Sequence, residues 1–184
     1  SAQKVKSSAS VYQYNDLLRR HAVGDIKALA IAVGQSPAML TYLDNARSTK
    51  EKPNENWARE LMELFTMGPG AYTERDIKES ARAFTGWAFS PDGAFIYREG
   101  QHDFGEKTFL GRTGPLDGWD VIDLIFEQSS TSRFLSRKLL AYFVQENPPD
   151  GLVEAFAATL RGHDFQVRPA LETLFASRAF YSPE

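Results

Sequence analysis

Apolar positions recur along most of this chain at helical spacing. In SVYQYNDLLRRHA (10–22), Tyr14, Leu17, Leu18 and His21 fall on one face of a helix. Asp25 is placed to cap IKALAIAVGQ, and Ser36 followed by Pro37 is a cap and first-turn signal for AMLTYLD. A long polar loop, 44–53, precedes the next helical stretch, and Thr73 with Asp76 forms a capping-box pattern before ERDIKESARAFTGW. The period then changes. WAFSPDGAFIYREG (87–100) alternates aromatics around a Pro-Asp-Gly turn and predicts a β-hairpin. QHDFGEKTFLGRTGPLDG (101–118) is glycine-rich and reads as an ordered loop with room for one more short strand. Helical patterning resumes in WDVIDLIFEQ, TSRFLSRKLLAYFV, DGLVEAFAATLR and VRPALETLFAS, with short connections that predict antiparallel neighbours. The expected fold is mainly α: a single domain over 1–184, about seven or eight helices with a small β-hairpin and loop insertion around 87–112.

The stretch KPNENWARELMELFTMG (52–68) carries the densest polar pattern. With Asn54 as N-cap and about 100° per residue, Trp57, Leu61, Leu64 and Phe65 form an apolar arc widened by Ala58 and Met62. Asn56, Arg59, Glu60 and Glu63 line the other side. A solvated face with an Arg59–Glu63 ion pair accounts for such a stripe in plain terms. Yet asparagine is a poor helix former, and Glu60 and Glu63 repel each other one turn apart. A partner elsewhere in the chain would relieve both. HDFGEK (102–107) is the natural one, since it crowds His102, Asp103, Glu106 and Lys107 around a glycine. His102 beside Asp103 suits a metal ligand, a general base oriented by a carboxylate, or a structural loop bond. With Glu60 and Glu63 nearby, an oxygen-rich divalent-metal site with one nitrogen ligand becomes conceivable, although no HExxH spacing supports it.

Composition narrows the function classes. Residues 1–100 hold 13 basic and 12 acidic side chains and 101–184 hold 8 and 12, so neither half has the basic excess of a nucleic-acid binder. The absence of cysteine excludes thiolate metal sites, disulfides and cysteine nucleophiles. The apolar runs ALAIAV and LLAYFV fall far short of the ~20 residues of a membrane span. Arg47, Lys50 and Lys52, in the loop before the Asn54 helix, could hold an anion at its N-terminus, although a solvated basic loop is commoner. Trp87, Phe89, Phe95 and Tyr97 suit either a sugar-stacking platform or the cap of a core. Lys107 offers a base or an anion contact, but a lone lysine is usually exposed; Ser80 and Arg82 read as helix surface. No GxSxG elbow occurs.

PAMLTYLDNARS, the PNEN…ARE…ELFT run, HDFGEKTFLGRTG and the closing LETLFASRAFY together resemble a bacterial family known as domain of unknown function 1800, over nearly the whole chain. Asn45, Pro53, Asn54, Glu55, Asn56, Arg59, Glu60, Glu63, His102, Asp103 and Lys107 match its pattern. The resemblance brings no established reaction. It implies an exported, periplasmic or extracellular protein, and a partner of the kind encoded beside such members, similar to sulfatases and phosphatases. The opening SAQKVK resembles an internal segment of longer members, so a C-terminal portion of a larger protein is expected.

Two functions remain at this point. One is a binding or assembly module, in which Asn54, Asn56, Arg59, Glu60, Glu63, His102, Asp103 and Lys107 form one polar network between helix and loop. The other is a hydrolase, metal-assisted or acid/base, built on Glu60, Glu63, His102 and Asp103. No cofactor is assigned.

Overall fold

The computed structural model describes residues 4, 5 and 7–181; residues 1–3 and 6 of the opening segment lie outside it, as do 182–184. Helix boundaries follow local chemistry. Helix α1 (Ser8–His21) leads to α2 (Ile26–Gln35), where the Asp25 carboxylate accepts from the Lys27 and Ala28 N–H groups. Ser36 ends α2 and caps α3 (Pro37–Tyr42) by accepting from Met39 N–H. A 3₁₀ turn (Asn45–Arg47) and an extended loop reach α4 (Glu55–Glu60), which continues as a π-helical turn (Leu61–Thr66). The Thr73–Asp76 capping box opens α5 (Glu74–Ala83).

The insertion holds two hairpins where the sequence predicts one and a single extra strand. Strands β1 (Trp87–Phe89) and β2 (Phe95–Tyr97) pair antiparallel around the Pro-Asp-Gly turn. Strands β3 (Lys107–Phe109) and β4 (Arg112–Gly114) form the second pair. Leu110 and Gly111 make its turn with φ of 46° and 81°, and Asp76 Oδ1 secures it by accepting from Leu110 N–H at 2.9 Å. A leucine in the left-handed region is uncommon without such support. Four helices follow, α6 (Gly118–Glu127), α7 (Ser129–Phe143), α8 (Asp150–Gly162) and α9 (Val167–Phe175), then the short α10 (Arg178–Tyr181). Ten α-helical segments among the described residues make the domain mainly α.

Trp57, Phe84, Trp87 and Trp119 form the aromatic spine of the core, in successive contacts with ring centroids 5.9, 5.1 and 5.0 Å apart. Phe95 and Tyr97 pack on the same indoles, so the β1–β2 aromatics cap the core. Gly34 of α2 lies where a Cβ would meet Trp57 at 2.6 Å and Trp87 at 3.1 Å, which explains a glycine inside a helix. Helix α5 runs through the centre, with Ile77, Ser80, Ala81 and Ala83 buried. Backbone bonds from Val167 to Gly24 and from Ile26 to Phe165 tie the late helices to the start of α2. Among the described residues no helix is long and apolar enough to cross a membrane.

Candidate functional site

The polar residues that stood out in the sequence divide into two clusters. The first surrounds the start of α4. Asn54 is the N-cap: its Oδ1 accepts from Asn56 N–H at 2.8 Å, and its own N–H donates to Ser48 Oγ at 3.0 Å. Ser48 and Asn45 are buried, and the Ser48 carbonyl accepts from Gly86 N–H, so this loop is fixed against the chain entering β1. Arg59 turns away from Glu63. It donates to Glu74 at 2.8 and 2.9 Å and to Glu55 at 3.3 Å, which raises its pKa through the Glu74 bond first. Glu63 accepts a long bond from Tyr72 Oη at 3.4 Å. Glu60, half-buried, has no hydrogen bond or ion pair among the described residues, and the Asn56 side chain is exposed.

The second cluster sits between α5 and the 102–107 loop, and its centre is Arg82. Its Nε donates to Asp103 Oδ2 at 2.7 Å, Nη2 to Asp103 Oδ1 at 3.3 Å, and Nη1 to Glu79 at 3.0 Å and to the Glu106 carbonyl at 3.1 Å. Glu79 also accepts from Thr108 N–H, and Asp103 from Gly105 N–H. Burial would raise the Asp103 carboxyl, but Arg82 and the Gly105 N–H outweigh it and hold the pKa below the usual carboxylate range. His102 is 2% exposed, and its Nδ1–H donates to the Thr85 carbonyl at 2.9 Å. Burial lowers its pKa, the Thr85 carbonyl opposes this, and the Lys107 charge adds to the lowering. Lys107 is 1% exposed, with its ammonium held by the carbonyls of Asp103 and Gly105, and burial lowers its pKa too.

This geometry corrects three expectations. No hydrogen bond or ion pair among the described residues joins Asn56, Arg59, Glu60 or Glu63 to the 102–107 loop, so the single helix–loop network is instead two. Of the three roles weighed for His102 beside Asp103, the geometry shows the structural loop bond: His102 bonds the Thr85 carbonyl, and the Asp103 carboxylate is held by Arg82. Lys107 is buried rather than exposed, and Ser80 and Arg82 are structural groups: Ser80 is fully buried and donates to the Asp76 and Ile77 carbonyls. Among the described residues, no three His, Asp or Glu side chains gather to hold a metal ion.

The apolar arc departs from expectation as well. A π turn carries N–H bonds that reach five residues back, which rotates the following side chains relative to an α-helix. Leu64 and Phe65, expected in the core beside Trp57 and Leu61, are 50% and 38% exposed. They face a hollow of about 280 Å³, whose other walls include Tyr14 and Leu18 of α1 and Leu29 and Val33 of α2. Tyr14 and Phe65 also border a second apolar hollow, of about 390 Å³, lined by Val11, Met39 and Tyr42. Helix α1 buries no residue at all and leaves Val11, Tyr12 and Leu18 exposed.

A family model described as protein of unknown function (DUF1800) matches residues 1–184. The chain belongs to this family. No curated protein and no solved structure matches it. In this DUF1800 domain, sequence reasoning missed Arg82, Glu79 and Thr85, whose partners lie 17 to 29 residues away along the chain. It also missed the trough, because a π turn leaves no mark in an apolar pattern read at helical period.

Proposed function

We propose that this domain is a binding and assembly module of an exported protein, and that its binding face is the apolar trough between α1, α2 and the π turn. The observation that carries the reading is the outward position of Leu64 and Phe65 in a helix whose other apolar residues are buried. A leucine or phenylalanine gains about 1.5–3 kcal/mol on full burial, so leaving both half in water forgoes stability that a partner would recover. π turns of this kind recur at functional sites. The two polar clusters fit the same reading as scaffold: one fixes the start of α4, and the other fixes the 102–107 loop on α5. The family resemblance supports a place outside the cytoplasm and a partner similar to sulfatases or phosphatases.

The test is the double substitution Leu64→Ser with Phe65→Ser, read by thermal melting and by fluorescence of 1-anilinonaphthalene-8-sulfonate. A trough kept for binding loses most of its dye signal while the melting temperature moves by no more than about 3 °C. A fall of more than about 8 °C would make the two residues part of the core and overturn the proposal.

A further inference from the structure

Among the described residues that line the two hollows of the trough, Lys138 is the only charged one. Its ammonium donates to the Leu64 carbonyl at 3.0 Å and lies 4.8 Å from the Phe134 ring centroid, and among the described residues no carboxylate pairs with it. The π turn thus presents two apolar side chains and, at the same point, a cation anchored on its own backbone. The walls are helices α1, α2, α3, α4 and α7, the π turn and Val5 of the opening segment, and among the described residues β1–β4 contribute none. An extended peptide laid there would find no sheet edge, and its N–H and C=O groups would go unpaired against apolar walls. A helix satisfies its own backbone and presents only side chains. The shared ridge of Tyr14 and Phe65 divides the floor in two, which suits two successive apolar anchors on one helical face.

We infer that the trough docks an amphipathic helix of a partner protein, apolar along one face, with an acidic side chain at its edge that pairs with Lys138. This rests on the trough being the binding face. Lysine-to-carboxylate pairing of this sort steers and selects a partner more than it adds affinity. The apolar anchors therefore carry the binding, and Lys138 decides which helix is accepted.

The experiment uses two synthetic amphipathic helices of about 15 residues, identical except for Glu or Lys beside the apolar stripe, titrated by fluorescence anisotropy against the wild-type chain, Lys138→Met and Lys138→Glu. The Glu peptide should bind wild type about fivefold or more tightly than the Lys peptide, lose most of that margin with Lys138→Met, and fall behind with Lys138→Glu. The margin should also shrink with added salt. Melting of each variant within a few degrees of wild type shows that folding is not what is being read. Equal binding of both peptides to wild type would overturn the inference. So would failure of both peptides with dye binding at Leu64 and Phe65 intact, which leaves the trough standing. Displacement of the dye by dodecanoate but by neither peptide would name a small amphiphile instead. Concentration-dependent dimerisation in sedimentation, abolished by Leu64→Ser, would name a second copy of this chain; either result overturns the helix.

Discussion

Asp103→Ala should be among the most damaging single substitutions on the polar surface of this protein. The carboxylate is 18% exposed, accepts two bonds from Arg82 and one from Gly105 N–H, and is the nearest counter-charge to both Arg82 and Lys107. Hydrogen bonds to a charged group contribute about 1.5–3 kcal/mol, and breaking a buried pair costs about 3–5 kcal/mol because the remaining charge is left unmatched. Partial access to water screens this pair, so the lower part of that span applies, about 2–4 kcal/mol. In a chain of this size each kcal/mol shifts the melting temperature by about 2–4 °C, which gives a fall of roughly 4–16 °C. Asp103→Asn keeps an acceptor for Gly105 N–H and one Arg82 bond but loses the charge, so about half the fall is expected. Circular dichroism at the helix band, scanned at neutral pH, measures both. A melting temperature within about 2 °C of wild type for Asp103→Ala would refute the reasoning, because Arg82 and Lys107 would then tolerate each other without the carboxylate. Equal damage from Asn and Ala would also count against it, since charge and shape would no longer be separable.

Arg59→Ala and Glu60→Gln should each move the melting temperature by no more than about 2 °C: Arg59 sits in an exposed pair with Glu74, and Glu60 has no polar partner among the described residues. His102 has a folded pKa below its unfolded value, so the unfolded chain binds the extra proton first. Its contribution is intact above about pH 6.5 and is lost as pH falls through the folded pKa. His102→Gln should therefore flatten the fall in melting temperature between pH 7.5 and 5, and a slope equal to wild type would remove His102 as its source. Acid should act again lower down through Asp103 and Asp76, both depressed, whose contribution is present above about pH 4 and lost below it. Gly34→Ala should cost about 1–3 kcal/mol by forcing a methyl against Trp57 and Trp87, whereas Gly151→Ala, with open space around its Cβ, should be neutral or mildly stabilising. Equilibrium denaturation in urea compares the two, and equal midpoints would contradict the packing described for Gly34.

What the sequence revealed is what is local. Asn54, Asp25, Ser36 with Pro37, and Thr73 with Asp76 act within three residues of themselves, and each cap is where the residue types put it. The Pro-Asp-Gly turn is equally self-contained. The second hairpin is only half legible, as one extra strand in a loop, because its turn places a leucine at positive φ, a conformation tolerated when Asp76, 34 residues earlier, holds the leucine N–H. Arg82 resembles helix surface for a related reason: in KESARAF its one local counter-charge is Glu79, an ordinary i,i+3 pair, and Asp103 arrives 21 residues later. The Glu60–Glu63 stripe failed differently. Its angular spacing assumed an α-helix throughout, and the π turn begins at Leu61, between the two.

That change of period links the polar motif to the apolar face. Two side chains steady the turn from outside the α-helical ladder: Thr66 Oγ1 donates to the Leu61 carbonyl at 2.6 Å, and Lys138 to the Leu64 carbonyl at 3.0 Å. At the other end, Asn54 and Ser48 fix where α4 begins. With both ends set, Leu64 and Phe65 cannot return to the core by sliding the helix one position, because that would break the cap or strand a carbonyl. Within the dense Asn/Arg/Glu pattern, Asn54 has a physical role in holding a short helix in a register that its own apolar spacing would not choose. The apolar side chains displaced by that register are the ones left facing the trough.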